Sequence, residues 1–220
     1  MSRRLIDVSH EIEAGMITYP GLPAPMISDH LSREASESGY APGTTFQIGR
    51  IEMVANTGTY IDAPFHRFED GADLAGLPLE RLADLPGVMI DVTNRQNPAI
   101  EVHQIKEPDL RGRAVLIHTG WDVHWRTPQY GETAPYLTRQ AAEFLVAAEP
   151  ALVGIDSVNI DNRLDGTRPA HTLLLKAGIP IAEHLCNLER LPHSGFRFHS
   201  VPIKFRGVGT FPVRAYAVIE

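Results

Sequence analysis

Apolar residues along this chain gather in short runs between turns rather than in long helical stripes. Gly87 to Val92, Ala114 to Thr119 and Ala151 to Asp156 are nearly continuous apolar runs, the pattern of strands buried on both faces. Leu5-Ile6-Asp7-Val8-Ser9-His10 predicts a first strand, with a turn at Pro20-Gly21. Ile48 to Ile61 reads as one long strand or a hairpin pair, and Phe198 to Ile219 holds two closing strands. Residues 26–45 are polar and irregular and read as a long connection. Leu77 to Leu82 suggests a helical turn with Leu79 and Leu82 inward, and a weak helix is expected near Ile100 to Ile105. One helix is well marked: Thr138 caps Arg139 to Ala148, Ala142, Leu145 and Val146 share a face, and Pro150 stops it. A second starts at Pro169-Ala170-His171, runs to Ala177 and is closed by Gly178. Pro180 to Glu183 is a brief extended piece, and Asn187 to Leu191 a turn of helix. Strands and helices alternate loosely with no repeat or linker, which predicts one α/β domain over residues 1–220.

Composition narrows the function classes. Apolar content of 43% and charged content of 21% are ordinary for a globular chain. A formal charge of −7 without a basic block argues against nucleic acid or an anionic membrane as partner and leaves a small-molecule substrate. No apolar run approaches the roughly 18 residues that span a bilayer. Two arginines near the start meet an acid after two apolar residues, which is no signal peptide, so a cytoplasmic protein is expected. The lone Cys186 has no internal disulfide partner and is expected as a reduced, buried thiol.

The chemistry-bearing stretch is Asn56-Thr57-Gly58-Thr59-Tyr60-Ile61-Asp62-Ala63-Pro64-Phe65-His66. If extended, Asn56, Gly58, Tyr60 and Asp62 point one way, and Pro64 ends the ladder. An imidazole just beyond, His66, suits proton transfer at neutral pH. Asp62, His171 and Glu183 together offer one imidazole and two carboxylates, a set able to hold a divalent ion; the alternative is two turn caps and a helix start. Asp156, Ser157 and Asp161 follow a strand end, where a turn cap explains them as well as chemistry does. Trp121 and Trp125, with Phe46 and Phe65, could line an apolar pocket or simply pack. His118 reads as a core histidine, and His30, His103, His124, His193 and His199 as solvated loop residues.

Several motifs occur in a familiar order: Leu5 to His10, Tyr19-Pro20-Gly21, Gly58-Thr59-x-x-Asp62-Ala63-Pro64-x-His66, Thr119-Gly120-Trp121, Gly154-Ile155-Asp156, His171-x-x-Leu174-Leu175, Glu183-His184-Leu185-x-Asn187-Leu188 and Pro212-Val213-Arg214. The chain resembles the cyclase-like metal-dependent hydrolases, which include bacterial kynurenine formamidase and isatin hydrolase, over essentially its whole length. That resemblance implies a swivelling β/β/α fold, a homo-oligomer built on dimers, and hydrolysis of amides, lactams or lactones at a zinc or manganese site. It also implies His66 as proton donor and acceptor, His171 and Glu183 as metal ligands with Asp62, Tyr19 against the substrate, His10 beside the pocket, and His184 behind the ligands.

The family motif is His-x-Gly-x-His-x-Asp-x-Pro-x-His, and here Asn56 and Tyr60 replace its first two histidines. A neutral amide and a phenol are poor ligands at neutral pH. At most one ion is therefore expected, or none. The leading reading is a hydrolase in which Asp62, His171 and Glu183 hold one ion. His66 shuttles the proton, Tyr60 or Asn56 steadies an oxyanion, and Tyr19, Trp121 and Phe65 contact the substrate. A second reading uses His66 and Tyr60 as acid and base without metal in a lactonisation, isomerisation or elimination. A third keeps the pocket only for binding.

Overall fold

The buried apolar runs form the centre of a nine-stranded mixed sheet. The computed structural model describes residues 3–220; Met1 and Ser2, where the reading of the N-terminus begins, lie outside them. The strands are β1 (Arg4–Asp7), β2 (Met26–Leu31), β3 (Ile48–Glu52), β4 (Tyr60–Asp62), β5 (Leu85–Asp91), β6 (Ala99–Ile100), β7 (Ala114–His118), β8 (Tyr136–Leu137), β9 (Leu152–Ile155), β10 (Ile181–Glu183), β11 (Ser194–His199), β12 (Thr210–Pro212) and β13 (Tyr216–Ile219). The helices are α1 (Arg33–Ser36), α2 (Val102–Ile105), α3 (Arg139–Ala148) and α4 (Pro169–Lys176). The large sheet runs β1-β13-β11-β5-β7-β9-β10-β4-β12. Its centre, β5-β7-β9-β10, is parallel, and its flanks are antiparallel. Arg4 pairs with Ile219, so both ends of the chain meet on one edge.

Period-two alternation sends neighbouring side chains into two separate cores. Leu116 packs on one face with Ile6, Phe196, Phe198 and Leu185, while Val115 and Ile117 pack on the other with Val153 and Ile155. Ala141, Ala142 and Leu145 of α3 and Leu174 and Leu175 of α4 cover this second face. The first face is closed by the curl of the sheet itself, through Ile6, Phe198 and Ala217 of β1, β11 and β13. Truncating a fully buried core leucine such as Leu116 to alanine costs about 2–5 kcal/mol.

Several expectations change. Leu79, expected inward, is 61% exposed, and of that pair only Leu82 is buried. Ile48 to Ile61 is neither one strand nor a hairpin with itself: β3 pairs with β2, and β4 joins the large sheet. The break comes at Gly58, whose φ of +66° turns the chain. A side chain there would also strike Ile12, with a Cβ 2.7 Å from its Cγ1. Asn56 and Gly58 therefore lie in a bend, and only Tyr60 and Asp62 share a strand face. The supposed connection over residues 26–45 contains β2 and α1, a ribbon strand exposed along nearly its whole length followed by a short helix. Finally, His30 and His199 stand on strands, His103 on α2 and His124 in a 3-10 turn rather than in loops, and His199 stacks on Tyr216 with ring centres 4.6 Å apart. Cys186 is free and buried as expected; burial pushes its thiol up to about 12. No helix among the described residues is long and apolar enough to cross a membrane.

Candidate active site

Strand register brings the site together. β4 lies between β10 and β12, with Tyr60 opposite Glu183 and Asp62 opposite Thr210. Cross-strand neighbours on one face touch directly. Tyr60 Oη accordingly donates to Glu183 Oε2 at 2.7 Å, and Thr210 Oγ1 donates to Asp62 Oδ1. Beyond β4, Pro64–His66 forms a 3-10 turn that carries His66 back toward Thr210. That return needs glycine at 209, where a Cβ would stand 2.5 Å from His66 Cα and 2.9 Å from the Phe65 carbonyl carbon.

Hydrogen-bond direction fixes the His66 tautomer. Thr210 Oγ1 gives its one proton to Asp62, so it accepts from His66 Nδ1 at 2.7 Å. His66 Nδ1 therefore donates, and Nε2 has no protein partner, on a ring that lines a cavity of about 250 Å³. The other wall residues are Tyr19, Leu22, Asn56, Tyr60, Arg67, Asn159, Arg168, His171 and Glu183.

His171 is set by Asp161. That carboxylate accepts from the backbone N–H of Ala170 (2.6 Å) and His171 (3.0 Å), and lies 2.7 Å from His171 Nδ1. It thus caps α4 and orients the ring in one stroke, a carboxylate–histidine pair of the kind found behind metal sites. His171 Nε2 stands 3.6 Å from Asp62 Oδ2 and 3.6 Å from Glu183 Oε1. Burial alone would lower the His171 pKa, but the charge of Glu183 and the contacts to Asp161 and Asp62 outweigh it and raise the value well above the usual one. Burial pushes Asp62 up, yet His66, His171 and Thr210 hold it below the ordinary carboxylate value. Glu183, buried and beside Asp62, is pushed up to about 7 despite His171 and two hydrogen bonds.

The geometry of this set bears on whether it can hold a divalent ion. Asp62 Oδ2 is buried with no hydrogen-bond partner. Its 3.6 Å separation from His171 Nε2 exceeds a hydrogen bond and suits a tetrahedral ligand edge, about 3.4–3.6 Å for bonds near 2.1 Å. Ligand atoms of Asp62, His66 and His171 also lie within 4.8 Å of one another. Asp62 and His171 thus fit one divalent ion, with Glu183 or His66 as a third group. Tyr60 does not fit. Burial and the charges of Glu183 and Asp62 hold its phenol well above 10, so it stays protonated and its proton points at Glu183. The oxyanion role expected of Tyr60 would need that same proton, which is directed at Glu183.

The far side of Tyr60 is closed. Asn56 lies against its hydroxyl, and His184 Nε2 is 3.2 Å from it. Tyr130 Oη sits 2.8 Å from His184 Nδ1. Since Tyr60 donates to Glu183, His184 donates from Nε2 and accepts from Tyr130, a chain of donors directed from Tyr130 to Glu183. Burial holds His184 down at about 3, so its ring is neutral. Behind this chain His10 stacks on Trp125 at 3.9 Å, and Trp125 meets Tyr130 edge-on at 5.0 Å.

Among the expected substrate contacts, Tyr19 and Asn56 line the cavity, whereas Trp121 and Phe65 do not. The Trp121 indole N–H donates to the Tyr130 carbonyl at 3.1 Å, which turns the ring into the protein. Phe65 precedes His66 in the 3-10 turn and is half-buried. Phe46 packs on Tyr40 in the exposed arm. Asp156 anchors the Thr119-Gly120 backbone through three N–H contacts of 2.8–3.0 Å, and Ser157 donates to Pro135, so both serve the turn. Sequence reasoning missed Thr210, Arg67, Asn159 and Arg168, and left Asp161 as a cap. Their partners lie elsewhere in the chain, and only a strand register could have pointed to Thr210.

Known proteins share this architecture. The putative cyclase family model matches residues 6–162. The kynurenine formamidase of Geobacillus thermodenitrificans is 30% identical over 212 residues, covering 96% of this chain and 95% of that protein. The kynurenine formamidase of Bacillus cereus is 29% identical over 211 residues, with the same coverage. A solved structure described as a potential metal-dependent hydrolase with cyclase activity superposes with a TM-score of 0.82 at 26% identity, covering 100% of this chain and 99% of that one. Isatin hydrolase A from Labrenzia aggregata gives 0.83 at 22% identity, over 99% and 94% of the two chains, and shows the fold alone. The α/β architecture, the motif order and these matches agree: the chain belongs to the cyclase family.

Proposed function

We propose that this protein hydrolyses the C–N bond of a small amide or lactam, with His66 moving the proton. The observation that carries the reading is the Asp62–Thr210–His66 chain, which engages His66 Nδ1 and leaves Nε2 without a protein partner on a ring that lines the cavity. The relatives named as kynurenine formamidases make an aryl formamide the first substrate to try. In the reaction a water attacks the carbonyl carbon while His66 Nε2 takes its proton. The same proton then passes to the leaving nitrogen as the C–N bond breaks, giving a carboxylic acid and an amine. Asp62, His171 and Glu183 would hold one divalent ion, which when bound supplies a Lewis acid and a water of lowered pKa. Asp62, its second oxygen held by Thr210, keeps the His66 imidazolium favourable once formed.

Tyr60 and Asn56 act here as supports for Glu183. A second reading, acid–base chemistry without an ion, draws on Glu183, whose value of about 7 suits proton exchange near neutral pH. The proposal extends to a second copy of this chain covering the exposed ribbon, where Met26, Ile27, Ile48 and Ile51 are 46–63% exposed; a monomer by light scattering at working concentration would contradict it. The test of function is turnover of aryl formamides and lactams by protein purified without chelator. Hydrolysis that is lost in EDTA and restored by zinc or manganese supports the leading reading. Full activity in EDTA moves the chemistry to the second. Tight binding with no turnover of any such substrate rejects hydrolysis.

A further inference from the structure

Two arginines remain in the cavity wall that neither proton transfer nor ion binding uses. Arg168 and Arg67 line the same 250 Å³ space as His66 and His171. Among the described residues neither guanidinium has a carboxylate within the 4.0 Å of an ion pair, although six such pairs hold other arginines. Arg168 instead touches neutral groups: its Nη1 donates to Asn159 Oδ1 at 3.2 Å and its Nη2 lies 3.5 Å from Tyr19 Oη. Asp165, the acid that feels its charge, commits Oδ1 to Thr167 at 2.7 and 2.9 Å. Arg67 rests over the Phe68 ring at 5.4 Å.

The position of Arg168 is built rather than incidental. Its backbone is left-handed, with φ 46° and ψ 62°, an uncommon conformation for a residue with a side chain. Asp165 O accepts from its N–H at 3.2 Å, and its own carbonyl accepts from Thr172 at 2.9 Å, which hold that conformation. Three residues later the helix presents His171 to the same cavity. The helix end itself is not a free anion site, because Asp161 already occupies its first N–H groups.

We infer that the substrate carries a carboxylate, and that Arg168, backed by Asn159 and Tyr19 and assisted by Arg67 at the rim, binds it. A guanidinium matches a carboxylate with two parallel N–H donors. Such a pair would orient the scissile carbonyl toward His66 while keeping the charged end away from Asp62 and Glu183. The inference rests on the hydrolase reading for the carbonyl end, but the anion site is testable without turnover.

Two measurements separate the cases. The first compares kcat/KM for 2-formamidobenzoate with that for its methyl ester. The wild type is expected to favour the acid at least about tenfold, and Arg168→Met to bring the ratio near one, mainly through KM. Arg168→Lys should recover part of the preference, since charge without the fork remains. The second titrates anthranilate and aniline by calorimetry, with no chemistry involved. Anthranilate should bind, aniline should not, and Arg168→Met should weaken anthranilate at least tenfold. If neither formamide is turned over but anthranilate binding still depends on Arg168, the hydrolase reading fails and the anion site stands. Equal handling of acid and ester by the wild type, or anthranilate binding indifferent to Arg168→Met, overturns the inference. Should that variant misfold, Arg67→Met and a salt series replace it: raising NaCl must weaken the acid selectively, and an equal effect on the ester rejects the site.

Discussion

The two sides of the cavity floor differ in what their polar atoms still have to offer. On the first side, Asp62 Oδ2 has no hydrogen-bond partner, His171 Nε2 has none within 3.5 Å, and His66 Nε2 has no protein partner. On the second, Tyr60, Glu183, His184 and Tyr130 form one chain of hydrogen bonds, and Ile160 N–H donates to Glu183 Oε1 at 2.6 Å. Unmatched buried groups are costly and persist where something is to be bound or moved, whereas a satisfied chain rigidifies its surroundings. In the proposed reading the first side is the reactive one. The second, which includes Asn56 and Tyr60, holds it in place, with Glu183 at the join between the two.

The comparison breaks most easily at Asp62. Asp62→Asn removes the charge that Thr210, His66 and His171 all face, and kcat/KM on any confirmed substrate should fall about 10³-fold. A loss below tenfold would mean the first side is not the reactive one. Thr210→Val keeps the shape of the neighbouring residue but frees the His66 ring to change tautomer. A fall of about 10- to 100-fold in kcat with little change in KM is expected, as for other residues that orient a functional histidine.

On the second side the effect should appear in stability. Tyr60→Phe leaves Glu183 Oε2 and the His184 Nε2 proton without their partner in a buried place. Thermal unfolding should show about 1–3 kcal/mol lost, with turnover down less than tenfold. The smallest effect sits behind the chain, at His10. Burial lowers its pKa to about 4, and its Nε2 has no partner. Its unfolded value is near 6.5, so unfolding takes up a proton between about pH 6.5 and 4. Its contribution is therefore lost as pH falls through that window. Relative to the wild type, His10→Phe should gain about 1 kcal/mol per pH unit below 6.5 and nothing above pH 7.5. A parallel pair of stability curves would show that His10 is charged in the folded protein.

Much of this was legible from residue order, but unevenly. Arg139–Ala148 was readable as α3 because its cap, its face and its stop are local. So were β5, β7 and β9, whose apolar runs need no partner to be recognised. The β2–β3 ribbon was not, because it buries neither face and so carries no alternation against a core. In the site, Asp62, His66, His171 and Glu183 followed from motif order. Their supports did not: Thr210 lies 148 positions from Asp62, and the Tyr60–Glu183 contact spans 123. Cross-strand register decides both. The committed direction of the Tyr60 proton is a property of that register and not of tyrosine.

The central claim, that proton transfer lies with His66 and architecture with Tyr60, is tested most directly by crossing His66→Gln with Tyr60→Phe. Initial rates on one confirmed formamide and melting curves should be measured together. His66→Gln should lose about 10²–10⁴ in kcat with an unchanged melting temperature. Tyr60→Phe should show a lowered melting temperature with modest loss of rate. The opposite pattern, a stable but inactive Tyr60→Phe beside an active His66→Gln, would contradict that claim.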